Sequence, residues 1–143
     1  MKNKLLLKLS FLVTMVGLVT IPAVAQKDKT IGVDSHGEFH FDSKTKVGGK
    51  MIKTGMYRIS QEFVNGEHFI VIREVPMVRS GKGMGVQKPG DEVARVNCTI
   101  KSVEDQNKKS KILIHRNAAN ERIALEVWFR GEKAKHILPS YDK

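Results

Sequence analysis

An all-β fold, a small antiparallel sandwich or barrel of about eight strands, is what the sequence predicts, and three observations predict it. Apolar residues recur at every second position in short runs, turn formers such as Gly48-Gly49 and Asn65-Gly66 separate those runs, and no useful length repeats the i, i+3, i+4, i+7 spacing of an amphipathic helix. The 143 residues divide into an expected signal peptide at 1–25 and a single all-β domain at 26–143.

The signal is read from order. Lys2, Lys4 and Lys8 precede an apolar stretch from Leu9 to Ile21, and Pro22 with Ala23-Val24-Ala25 supplies the small side chains a signal peptidase accepts. Lys8 keeps the apolar run shorter than the roughly 20 residues a spanning helix needs. Later apolar runs are interrupted by charges, so no transmembrane segment is expected after cleavage. The expected location is periplasmic or secreted. Cys98 is the only cysteine and has no partner within its own chain, so packing rather than a disulfide must hold the fold.

The strands follow in order. In Gly37-Glu38-Phe39-His40-Phe41-Asp42, the two phenylalanines share one face and Glu38, His40 and Asp42 the other. Val47 leads into Gly48-Gly49, a hairpin turn, because glycine accepts the positive φ that tight turns demand. Met56 to Phe63 and the β-branched run His68 to Val75 flank Asn65-Gly66, a second hairpin. The glycine-rich stretch from Arg79 to Glu92, with Pro89, reads as a loop. Alternation resumes from Val93 to Val103, with Val96, Cys98 and Ile100 facing inward. Lys111 to Arg116 forms another strand. The last long strand directs Ile123, Leu125, Val127 and Phe129 inward and Glu126, Trp128 and Arg130 outward, before Gly131-Glu132 turns the chain into His136-Ile137-Leu138-Pro139.

The segment Val47-Gly48-Gly49-Lys50-Met51-Ile52-Lys53-Thr54-Gly55-Met56-Tyr57-Arg58-Ile59 resembles small exported bacterial β-proteins of unknown function, in which a valine-glycine-lysine turn precedes a tyrosine-led strand. Val127-Trp128-Phe129-Arg130-Gly131-Glu132 and His136-Ile137-Leu138-Pro139 resemble the closing hairpin of such proteins. The resemblance implies an exported β fold and no particular activity.

The formal charge of the whole chain is +10, and removal of Lys2, Lys4 and Lys8 leaves +7. Such a surplus favours anionic envelope polymers as partners through long-range attraction, with another protein as the other expected partner. No basic stripe interleaved with aromatics marks a specific nucleic-acid site. Asp34, His36, Glu38, His40 and Asp42 alternate by two. Their plain reading is the wet face of an edge strand. The alternative is a zinc site using His36, Glu38 and His40, although two histidines four residues apart on a strand lie roughly 13 Å apart unless Gly37 bends the chain. His68, His115 and His136 could complete such a site, but their spacing does not require it.

Catalytic signatures are sparse. Cys98, inward among Val96 and Ile100, reads as a buried thiol whose pKa burial raises, hence as packing. No serine occupies a Gly-x-Ser-x-Gly elbow, and Gly81-Lys82-Gly83-Met84-Gly85 fits neither phosphate-loop spacing. The expectation is therefore an exported, non-enzymatic binding or scaffolding module of the envelope or exterior, without cofactor. Trp128, Arg130, Lys82 and Lys88 are its contact candidates. A divalent-metal protein or metal-assisted hydrolase using the Asp34 to Asp42 face, with zinc, is the first alternative. A structural subunit assembling through strand edges is the second.

Overall fold

The computed structural model describes residues 28–76 and 90–140. These residues form eleven strands in two sheets with no helix among them, and the sheets do not close into a barrel. The strands are β1 (Lys29–Val33), β2 (Glu38–Phe41), β3 (Thr45–Val47), β4 (Lys50–Ile52), β5 (Gly55–Val64), β6 (Glu67–Glu74), β7 (Glu92–Asn97), β8 (Thr99–Ser102), β9 (Ser110–Arg116), β10 (Arg122–Trp128) and β11 (Ala134–Ile137). The expected signal peptide lies outside the described residues.

The smaller sheet runs β2-β5-β6-β7, antiparallel throughout. The larger runs β1-β9-β10-β11-β8, with β3 joined to β10 and β4 to β3. Pairing is antiparallel except where β3 meets β10 at Ile123↔Lys46. Both predicted two-residue hairpins form, with positive φ at both central residues: 54° and 81° at Gly48-Gly49, and 52° and 83° at Asn65-Gly66. Gly48 is also required sterically, since a Cβ there would lie 2.5 Å from Cγ1 of Val96.

One apolar core draws on both sheets. Ile31, Ile112, Ile114 and Val127 of the larger sheet meet Phe39, Phe41, Tyr57, Ile59, Ile70 and Val96 of the smaller. Phe39 and Phe41 face inward as their alternation requires, with ring centroids 4.8 Å apart, edge to face. Tyr57 joins them, and its hydroxyl donates to the carbonyl of Lys53 at 2.9 Å, so its polar end is not left unpaired in the core.

Four expectations are corrected. Among the described residues the strands number eleven rather than about eight. One of the additions is β1, a five-residue strand in which only Ile31 is fully buried, so its alternation is too thin to stand out. The stretch Val93 to Val103 is not one strand: β7 belongs to the smaller sheet, β8 to the larger, and the chain changes sheets at Cys98. Val96 and Cys98 are buried as expected, but Ile100 is 45% exposed, because β8 is the outermost strand of its sheet. In β10 a register shift between Ala124 and Glu126 replaces strict alternation, so Ile123, Ala124 and Val127 fill the core while Leu125 is only half-buried.

Candidate metal centre

The change of sheet at Cys98 places chemistry at one end of the core. The amide N–H of Cys98 donates to the carbonyl of His68 at 2.9 Å, continuing the β6–β7 ladder beyond Phe69↔Asn97, so the two side chains arise from adjacent strands. The third comes from the larger sheet, where His136 on β11 pairs with Ile100 on β8, two residues after Cys98. His136 faces inward and is 1% exposed, because its neighbour in β10 is the core residue Val127. Sequence alternation thus aims Cys98 and His136 into the protein, and the crossing of sheets brings them together.

The Cys98 sulfur, one ring nitrogen of His68 and one of His136 lie within 4.8 Å of one another. No other group of three or more histidine, cysteine or acidic side chains among the described residues converges so closely. Sγ of Cys98 is 3.6 Å from Nδ1 of His136. On the far side of that ring, Nε2 donates to Oε2 of Glu132 at 3.0 Å. An ionised carboxylate only accepts, so Glu132 fixes the proton on Nε2 and leaves the Nδ1 lone pair of the neutral ring directed at the sulfur. Oε1 of Glu132 is itself held by Nε2 of Gln61 at 2.5 Å.

Nδ1 of His68 is buried and meets no hydrogen-bond partner among the described residues. A buried polar atom without a partner costs about 1–3 kcal/mol, so this nitrogen calls for a ligand. The rings of His68 and His136 are 5.8 Å apart and tilted by 30°. Phe63 packs on His68 at 5.1 Å, and Phe129 meets His136 edge-on at 5.2 Å. Burial pushes the Cys98 thiol up, so without a metal it stays protonated at neutral pH. An open pocket of about 410 Å³ reaches His68 and His136 past Gln61, Phe63, Ile100 and Ala134. Glu62 also borders it, but its carboxylate is engaged by Arg95 at 2.7 Å and Arg73 at 3.5 Å. The arrangement offers one sulfur and two imidazole nitrogens, a donor set suited to zinc or another late first-row ion.

The residues singled out on the Asp34 to Asp42 face are not brought together in this way. Asp34 to Gly37 is the turn joining β1 to β2, in which Oδ1 of Asp34 accepts from the amides of His36 and Glu38 at 2.8 Å each. Those amides, Glu38's foremost, hold the Asp34 carboxyl below the usual carboxylate range. The His36 side chain is 79% exposed, and His40 is exposed on β2. Glu38 pairs with Arg58, and Asp42 with Lys29 and Arg122. His115 binds Asp28 through Nδ1 at 2.7 Å.

Trp128 lies half-buried on the outer face of the larger sheet, its Nε1 donating to Glu126 at 3.0 Å. Arg130 is exposed in the turn that follows, its amide donating to Oγ of Ser110 at 2.9 Å. Lys82 and Lys88 lie outside the described residues. The Cys98, His68 and His136 grouping escaped the sequence reading because its members lie on β6, on β11 and at the corner between β7 and β8, in two sheets. The one available signal was that Cys98 and His136 both occupy inward positions. No helix among the described residues is long and apolar enough to cross a membrane. No protein-family model, no curated protein and no solved structure matches this chain.

Proposed function

We propose that this chain is an exported β-sandwich that binds a transition-metal ion of zinc's class through Cys98, His68 and His136. The observation that carries the reading is the convergence of one thiol and two imidazoles whose donor atoms lie within 4.8 Å of one another, together with a buried His68 Nδ1 that has no hydrogen-bond partner among the described residues. The Glu132 carboxylate behind His136 supports it, since metal-bound histidines are characteristically oriented by a carboxylate on their other nitrogen. Binding replaces the thiol proton of Cys98 with a metal–sulfur bond, and the proton leaves to solvent. The thiolate charge is then neutralised by the ion, which removes the cost of ionising a buried sulfur.

The order of charge, apolar run and small residues in 1–25 supports export. With three protein donors, a tetrahedral ion would keep a fourth position for water or a small ligand, and the protein then serves as a metal carrier or a metal-dependent binding module outside the cytoplasm.

Zinc titration of untagged mature protein against a competing chromophoric chelator tests the reading. One equivalent is expected to bind, with binding lost in Cys98→Ala and His136→Ala and unchanged in the double variant His36→Ala/His40→Ala. Equal zinc affinity in the wild type and Cys98→Ala would overturn it.

A further inference from the structure

A second feature lies on the opposite face of the larger sheet from the metal centre. Directly paired residues on neighbouring strands share a face. Lys111 of β9 pairs with Trp128 of β10. Extending the β10–β11 register one residue beyond Val127↔His136 sets Lys135 beside Trp128, and Lys135 pairs in turn with Lys101 of β8. The outer face therefore carries the row Lys111-Trp128-Lys135-Lys101 across four strands, a span of roughly 14 Å at the usual strand spacing.

The side chains bear this out. Nζ of Lys111 lies 4.3 Å from the indole centroid and Nζ of Lys135 5.4 Å, so the ring fixes the position of two ammonium groups. Glu126 ties the arrangement together, accepting from Nε1 of Trp128 at 3.0 Å and from Nζ of Lys135 at 2.6 Å. A groove of about 800 Å³ is lined by Lys111 and Trp128 together with the turn that follows β8, which contributes Glu104, Asp105, Gln106 and Lys108. Lys101, Lys108 and Lys109 are exposed and have no carboxylate partner among the described residues.

We propose that this groove and the lysine row bind an acidic polysaccharide whose sugars carry carboxylates. Lysines outnumber carboxylates here, so the ligand must carry negative charge, yet Glu104, Asp105 and Glu126 would repel a ligand charged at every unit. A uronate-bearing glycan meets both demands. Its carboxylates face the ammonium groups of Lys101 and Lys111, while its hydroxyls have Asp105 and Gln106 as hydrogen-bond partners. A single-stranded nucleic acid fits less well, because base stacking needs an open aromatic face and lysine ammonium groups already sit against the indole of Trp128.

Trp128 is the sole tryptophan, so its fluorescence reports this face alone. Titration with hyaluronan oligosaccharides, in which a uronate alternates with a neutral sugar, is expected to give a saturable change that weakens as salt is raised, and a neutral glucan of equal length none. Lys101→Gln/Lys111→Gln should weaken the hyaluronan response about tenfold with an unchanged thermal midpoint. Cys98→Ala, which removes the metal ligand, should leave it intact, so the two proposals fail separately. The absence of a saturable response, equal affinity in the double-lysine variant, or tighter binding of an oligonucleotide or of anionic vesicles would each overturn the proposal.

Discussion

The thiol sulfur of Cys98 lies 3.6 Å from Nδ1 of His136, although 38 residues separate the two in sequence. The contact exists because the chain leaves the smaller sheet at Cys98 and enters the larger one as β8, beside the strand that carries His136. The Cys98 side chain at this corner is the thiol donor of the candidate metal centre, and the imidazole of His136 beside it is a second donor.

Glu132 acts on this centre without belonging to the donor set. Its carboxylate keeps the His136 proton on Nε2, and Glu132→Gln removes the charge while preserving much of the shape. Zinc affinity is expected to fall about 10- to 100-fold, the usual effect of losing such an outer partner. Competition titration measures this, and circular dichroism should show an unchanged fold. An unaltered affinity would mean that Glu132 does not orient the ring.

Gly48 tests the packing between the β3–β4 hairpin and β7. Alanine there would place its Cβ 2.5 Å from Val96 Cγ1 in a backbone with φ of 54°. Overpacking and left-handed strain together should cost about 1–3 kcal/mol, read from urea unfolding. Adding Val96→Ala should recover part of that loss, because it removes the obstructing methyl groups but leaves the strain. Simple additivity of the two changes would contradict the contact.

Asp42 governs the acid limit of stability. Hydrogen bonds from Lys29 first and Arg122 second hold its carboxyl far below the ordinary value of 3.8. A carboxyl depressed by folding stabilises the protein above its unfolded pKa and loses that contribution as the pH falls further. The Asp42 side chain is 46% exposed, so solvent screening limits the effect. Asp42→Asn should therefore cost about 1 kcal/mol at pH 7, and the gap from wild type should narrow below about pH 4. Denaturant melts at pH 7, 5, 4 and 3 measure it, and a pH-independent gap would contradict the assignment. Arg122 is 5% exposed, and its Nε and Nη2 have no hydrogen-bond partner among the described residues, so Asp42 is also what keeps a buried guanidinium paired.

Much of the architecture was legible because it is local. Phe39 and Phe41 announce β2 by alternation, and Asn65-Gly66 announces the β5–β6 hairpin by backbone requirement. What escaped was non-local. The exposure of Ile100 depends on β8 being an outermost strand, and the half-buried state of Leu125 depends on an irregularity in β10; neither leaves a mark on the period of the sequence. The metal centre is the extreme case. The inward aim of Cys98 could be read from its neighbours, but its partners could not, since their meeting is decided by strand order. Conversely, the alternating Asp34, His36, Glu38, His40 and Asp42, read first as the wet face of an edge strand, offered a metal site only as the alternative, and a turn at Asp34 to Gly37 separates their roles.

Cobalt(II) titration of the mature protein, followed by ultraviolet and visible absorption, tests the central claim most directly, because only a thiolate bound to cobalt gives a sulfur-to-metal charge-transfer band. Saturation of that band at one equivalent is predicted, together with the intense visible absorption of a four-coordinate ion and loss of both in Cys98→Ala. Cobalt uptake without the charge-transfer band, or no saturable uptake, would contradict a metal centre built on Cys98, His68 and His136.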